Sequence, residues 1–259
     1  MNASITLWQK YMQKSLVHTE EIFGFLIQPI LWVVLFGVGM RGMFSEIMAG
    51  ENSDYITFML PGIIALTAID GSIGGGSTWL NERLRGMVKE YLVAPIPRLS
   101  ILLGNALAII TRSVAQALLI LLVGILMGAK ISGNPLHWLM GLVFIFGYGL
   151  GFSGIALALA SATSSMGAYH SLIFILNLPM LFLSNALYPL FTLPSWMRIA
   201  ALINPTTYVI SGMRQSLLRA NSPLGETEFL PLWLCFVVIG VFAALGMGLA
   251  LRAFQRNVK

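Results

Sequence analysis

Leu118-Leu119-Ile120-Leu121-Leu122-Val123 runs for six residues without a polar side chain. A strand of a membrane barrel would alternate apolar and polar positions through a segment of about ten residues. This run does not alternate, and it lies inside a longer apolar stretch from Leu99 to Ala129. About 20 mainly apolar residues let a helix cross the hydrocarbon core. Backbone groups in lipid must bond internally, so the stretch reads as a spanning helix. Working outward, five more stretches read the same way. The spans fall at about 22–42, 56–79, 100–128, 136–161, 167–187 and 229–251. Hydrophobic residues make up 57% of the chain and charged residues 10%, where soluble domains carry about 25% charged. The reading is an all-α membrane protein with six transmembrane helices, one domain over 1–259. It leaves no stretch for a soluble catalytic domain. The first apolar run is too long for a cleaved signal peptide and reads as an uncleaved anchor.

Lys and Arg are enriched in cytoplasmic loops. With the N-terminus inside, Lys10, Lys14, Arg83, Arg85, Lys89, Arg98, Arg252, Arg256 and Lys259 face the cytoplasm. Arg41, Lys130, Arg198, Arg214 and Arg219 face outward, and Arg112 lies within a span. Nine against five puts both termini in the cytoplasm. The net charge of +5 is then a matter of loops and lipid headgroups. No basic soluble face exists for a nucleic acid.

Residues 1–21 do not span. Ile5, Trp8, Met12 and Leu16 recur at helical spacing, which predicts an interfacial helix. The connection after the second span predicts an amphipathic helix from Leu80 to Ala94. Leu84, Met87, Val88, Tyr91 and Leu92 share one face. Glu82, Arg83, Arg85, Lys89 and Glu90 supply charges of both signs, and Pro95 and Pro97 stop the helix. A mixed-sign surface helix suits docking to a partner protein. Prolines punctuate 188–228, where Trp196–Leu202 and Thr206–Arg219 predict two short, non-spanning helices. Their apolar content argues for re-entrant or interfacial placement on the outer side.

Two ionisable residues fall inside spans, Asp70 and Arg112. Such groups are costly in lipid and face protein or water. Counted along their helices they reach similar depth, so the preferred reading is a structural ion pair between the second and third spans. The other reading puts them on a substrate path or at a gate. Three histidines and one cysteine, Cys235, are scattered and build no metal site. The glycine run Gly71–Gly76 lacks a following Lys-Ser/Thr, so no phosphate loop exists and no ATP hydrolysis is expected on this chain.

Three motifs, in order, carry a family resemblance. Tyr55-Ile56-Thr57-Phe58-Met59-Leu60-Pro61-Gly62 precedes the second span's core. Glu90-Tyr91-Leu92-Val93-Ala94-Pro95 lies in the inner connection, with Val88-Lys89 where Gly-Thr is common. Asn204-Pro205-Thr206-Thr207-Tyr208 with Arg214 precedes the last span. Together with six spans they resemble the permease subunit of ABC-2 type exporters, over nearly the whole chain. The resemblance implies two copies of a separate ABC ATPase that bind ATP-Mg and a second, identical permease in the cytoplasmic (inner) membrane. It implies a coupling helix after the second span, with Glu82, Arg83, Arg85, Lys89, Glu90 and Pro95 at the ATPase contact. Asn204, Pro205, Tyr208 and Arg214 would shape the outer re-entrant element. The substrate expected is amphipathic: a drug-like molecule, a lipid or a glycolipid. The rival reading is an ion-coupled carrier using Asp70 and Arg112; a membrane scaffold without transport is a third.

Overall fold

The computed structural model describes residues 3–17, 19–40, 42, 55–87, 97–218 and 230–256. Among them the chain is helical, without strands. The helices are α1 (Ala3–Val17), α2 (Thr19–Gly39), α3 (Tyr55–Leu84), α4 (Arg98–Leu126), α5 (Pro135–Ala162), α6 (Met166–Phe182), α7 (Ser195–Ile203), α8 (Pro205–Leu218) and α9 (Leu232–Arg256). A single 3-10 turn, Leu190–Thr192, lies between α6 and α7.

Four helices, α3, α4, α5 and α9, are long and apolar enough to cross a membrane. The other two expected spans fall on α2 and α6. α2 begins at Thr19, earlier than the expected start, and contains Pro29. α6 ends at Phe182 after 17 residues, short of the expected 187. At 1.5 Å per residue that is about 26 Å, less than a typical hydrocarbon core. Pro179 sits in its last turn, and the side chain of Asn204 takes over its final carbonyls: Asn204 Nδ2 donates to Met180 O at 3.1 Å and Leu183 O at 2.6 Å.

Local chemistry sets several of the ends. Asn134 caps α5 by accepting from Leu136 N at 3.0 Å, with Pro135 at the first helical position. Ser165 caps α6 by accepting from Ala168 N at 3.2 Å. α3 is the central post, buried along most of its length, whereas α9 exposes Trp233, Val237, Val241, Leu245 and Leu249 on one face. α5 and α9 pack in backbone contact: a Cβ on Gly154 would collide with the backbone of Gly246. Only glycine allows that approach.

Two expectations from the sequence are corrected here. The inner amphipathic helix does not start at Leu80. Residues 80–84 continue α3, and the chain turns at Arg85–Met87, with Gly86 in the left-handed region (φ 78°). Lys89, Glu90 and Pro95 lie outside the described residues. The buried face of α1 also differs from the one read by spacing. Leu7 and Tyr11 are buried, with Trp8 and Met12 packed beside them, while Ile5 is 46% exposed. α1 docks against α4, where Gly104 leaves room for Leu7.

Candidate functional site

Three polar constellations stand out. They lie at the two ends of α3 and at its middle.

The first is at the C-terminal end of α3. Glu82 is buried, at 1% exposure, in a chain where charge is scarce. Lys10 Nζ reaches its Oε1 at 3.1 Å, and Tyr11 Oη donates to its Oε2 at 3.0 Å. Both partners come from α1. Lys10 is 44% exposed, so solvent weakens its share, and the buried Tyr11 bond is the stronger tether. Next in sequence, the Arg83 guanidinium donates to Ser161 O and Thr163 O at the end of α5. A cation there satisfies carbonyls that a helix C-terminus leaves open. Trp8 Nε1 adds a bond from α1 to Thr111 Oγ1 of α4 at 3.0 Å, and Trp79 Nε1 one to Ser161 Oγ at 3.2 Å. Arg85 bonds only locally among these residues, to Asn81 Oδ1 at 3.0 Å, and is exposed. Adjacent residues Glu82 and Arg83 thus bind α3 to α1 on one side and to α5 on the other.

The second constellation is at the opposite end. Arg214, on α8, is 2% exposed. Its Nε donates to Phe58 O at 3.2 Å and its Nη2 to Asn185 O at 2.6 Å. The guanidinium lies 3.7 Å from the centre of the Phe58 ring, a cation–π stack. The sequence places Arg214 among outward loop charges; it is instead part of the core. The rest of its motif is structural as well. Asn204 caps α8 by accepting from Thr206 N at 2.9 Å while its amide binds the end of α6. Pro205 opens α8, where its missing N–H costs nothing. Tyr208 Oη donates to Leu202 O at 2.8 Å, holding α7 against α8. Thr206 also shares a 2.6 Å hydrogen bond with Tyr148 of α5.

The third constellation contains Asp70. It lines a cavity of about 80 Å³ with Gln28 and Trp32 of α2, Thr67 of α3, and Asn177 and Leu181 of α6. The expected pair with Arg112 is absent. Asp70 lies about 140° round α3 from Gly75, the position that packs on Ile109 and Asn105 of α4. The carboxylate therefore points toward α2 and α6, away from the helix that carries Arg112. Arg112 Nε instead lies 3.4 Å from Ala108 O of its own helix.

Sequence reading gave no site role to Lys10, Tyr11, Gln28, Phe58, Asn177 and Asn185. Gln28 and Asn177 carried a usable signal, since each is an amide in an apolar run. Tyr11 and Phe58 carried none, because aromatic residues are common in such helices.

The family model of ABC-2 type transporters matches residues 3–218. The chain belongs to the ABC-2 type transporter family. Its relatives include the putative transport permease ycf38 of Cyanophora paradoxa, 35% identical over 73% of this chain and 65% of that protein. This chain therefore spans just under two thirds of that relative's length. The daunorubicin resistance ABC transporter permease protein DrrB1 of Streptomyces coeruleorubidus is 22% identical over 88% of this chain and 79% of its own. The inner membrane transport permease YadH of Escherichia coli (strain K12) is 25% identical over 92% and 88%. With four helices fit to cross a membrane, this family member is a multi-pass membrane protein.

Proposed function

We propose that this chain is the transmembrane permease subunit of an ATP-driven exporter. A separate ABC ATPase, in two copies, would bind ATP-Mg, and a second copy of this chain would complete the passage. α2 and α6 would join the four longer helices as spans of one domain over 1–259. The observation that carries the reading is the junction at Glu82 and Arg83. It sits immediately before the connection in which the family resemblance puts the ATPase contact, at Lys89, Glu90 and Pro95. A displacement applied there is passed at once to α1 through Lys10 and Tyr11, and to α5 through Arg83. Networks of packed side chains and hydrogen bonds of this kind can carry coupling between helices.

The orientation with both termini in the cytoplasm of an inner membrane is supported by the Lys and Arg count. Moving the buried Arg214 out of the outer tally leaves the inner excess larger. The amphipathic class of substrate, a drug-like molecule, a lipid or a glycolipid, is supported by the apolar character of the spans, and the drug-like member of it by the name of the Streptomyces relative, a daunorubicin resistance permease. The short helices α7 and α8, locked by Asn204 and Arg214, would narrow the outer exit. The ion-coupled carrier has no such support from the family or its relatives.

The test is a pull-down of the tagged chain from its native membrane in mild detergent, with intact-mass analysis and an ATP hydrolysis assay. A stoichiometric ATPase subunit with hydrolysis is the expected result. A clean preparation without any ATPase, from membranes whose transport survives ATP depletion, would overturn the proposal. Reversing the charge of Glu90 should release or uncouple the ATPase while leaving the permease folded.

A further inference from the structure

Asp70 sits at the middle of α3, about 21 Å from either end at 1.5 Å per residue. At that depth a carboxylate needs a counter-charge, water or hydrogen-bond donors. Among the described residues neither an ion pair nor a hydrogen bond reaches Asp70. No Lys or Arg lines the cavity it faces. Gln28 and Asn177 also line this cavity, and among the described residues neither amide has a hydrogen-bond partner. Three polar groups from three helices thus converge on one space, and none is used to hold the helices together. This differs from Glu82, Arg83 and Arg214, each of which is spent on a neighbouring helix.

We propose that the cavity binds the protonated amine head of an amphipathic organic cation. An alkylammonium offers three N–H donors and one positive charge. Asp70 supplies the compensating charge, and the side-chain oxygens of Gln28 and Asn177 supply acceptors. The Trp32 indole also lines the cavity, and an aromatic ring there would add to the attraction for a cation. A cavity of about 80 Å³ suits a head group rather than a whole amphiphile. The tail would leave past Gln28, which is exposed, along the apolar side chains of Leu66 and Leu181. A carboxylate head would be repelled by Asp70, and a neutral hydroxyl would leave its charge uncompensated. The site deepens the exporter reading by naming a class of substrate, and its consequence for transport rests on that reading.

Binding is measurable without the ATPase, so the two proposals can fail separately. The full chain, in phosphatidylcholine nanodiscs near neutral pH, is dialysed to equilibrium against radiolabelled 4-phenylbutylamine, 4-phenylbutanol or 4-phenylbutanoate. Protein-free nanodiscs give the partition blank. A charge-assisted hydrogen bond predicts that the amine binds at least about tenfold more tightly than the alcohol, and that the carboxylate binds least. Asp70→Asn should bring amine and alcohol to similar affinity while leaving the alcohol unchanged. Gln28→Leu, at an exposed position that leaves the fold intact, should weaken the amine several-fold and serves if Asp70→Asn does not fold. Equal binding of amine and alcohol to the unaltered chain overturns the site, including the case in which a basic group of a second copy fills the cavity. An amine preference that survives Asp70→Asn, or amine binding left unchanged by Gln28→Leu, overturns it too. Loss of the site in a preparation that still holds its ATPase leaves the exporter reading standing.

Discussion

Arg214 and Asp70 are both ionisable, both enclosed by apolar helices, and oppositely used. Arg214 is held: two backbone carbonyls and an aromatic face take its guanidinium, and these come from two separate parts of the chain, at Phe58 and Asn185. Asp70 is open: its carboxylate faces a cavity shared with Gln28 and Asn177. Desolvating either charge is costly. Where protein groups compensate the cost, the charge holds structure. Where they do not, the compensation has to come from something that enters. Glu82 stands with Arg214, since Lys10 and Tyr11 take its oxygens.

The sharpest way to break this contrast is to remove each charge and compare stability. Arg214→Ala should have the largest effect. It strands the carbonyls of Phe58 and Asn185 and leaves a void, a loss of about 3–5 kcal/mol visible as a much lower unfolding temperature in detergent. Arg214→Lys should recover only part of that, because an ammonium cannot fork between the two carbonyls and stack on Phe58. Glu82→Ala comes next, at about 2–3 kcal/mol. Its loss should concentrate in α1, so hydrogen exchange there should rise more than in α5, which Arg83 still holds. An unchanged α1 would remove Glu82 from the junction. Gly154→Ala follows, at about 1–3 kcal/mol, because its methyl group meets the backbone of Gly246; a thermal melt measures it. Asp70→Asn should have the smallest effect, within about 0.5 kcal/mol, since no protein partner is lost. A large destabilisation by that change would erase the contrast with Arg214. Exchanging the charges, Asp70→Arg with Arg112→Asp, should be no better in the same melt than the single changes. Recovery in the double variant would restore the pair that the geometry denies.

Much of the architecture was open to reading because lipid leaves so few choices. Continuous apolar runs such as Leu118–Val123 can only be helices, and Asn204-Pro205 announces a helix start wherever it occurs before an apolar segment. The end of α3 was misread for an equally physical reason. Leu84, Met87 and Val88 keep a helical spacing, yet Gly86 takes a left-handed conformation and turns the chain there. Spacing records which residues could share a face; it does not record where a glycine breaks the helix. The misassigned roles of Arg214 and Asp70 have another origin. Depth along a helix can be counted from the sequence, but the azimuth at which a side chain meets its neighbours depends on how the helices pack.

The sequence by itself determined that this protein is helical, lies in a membrane, belongs among the ABC-2 transporters by its three ordered motifs, and carries two charges within its apolar spans. Tertiary structure alone decided what each charge does. Glu82 and Arg83 are adjacent in the chain and bind opposite neighbours; Asp70 and Arg112 match in depth and do not meet; Arg214 resembles a loop residue and lies in the core. The physical reason is that an apolar helix has no intrinsic preference for which face it buries in lipid or in protein. That choice is made by close packing, at contacts such as Gly154 with Gly246 and Gly75 with Ile109, and it fixes which polar groups find partners and which are left for a ligand.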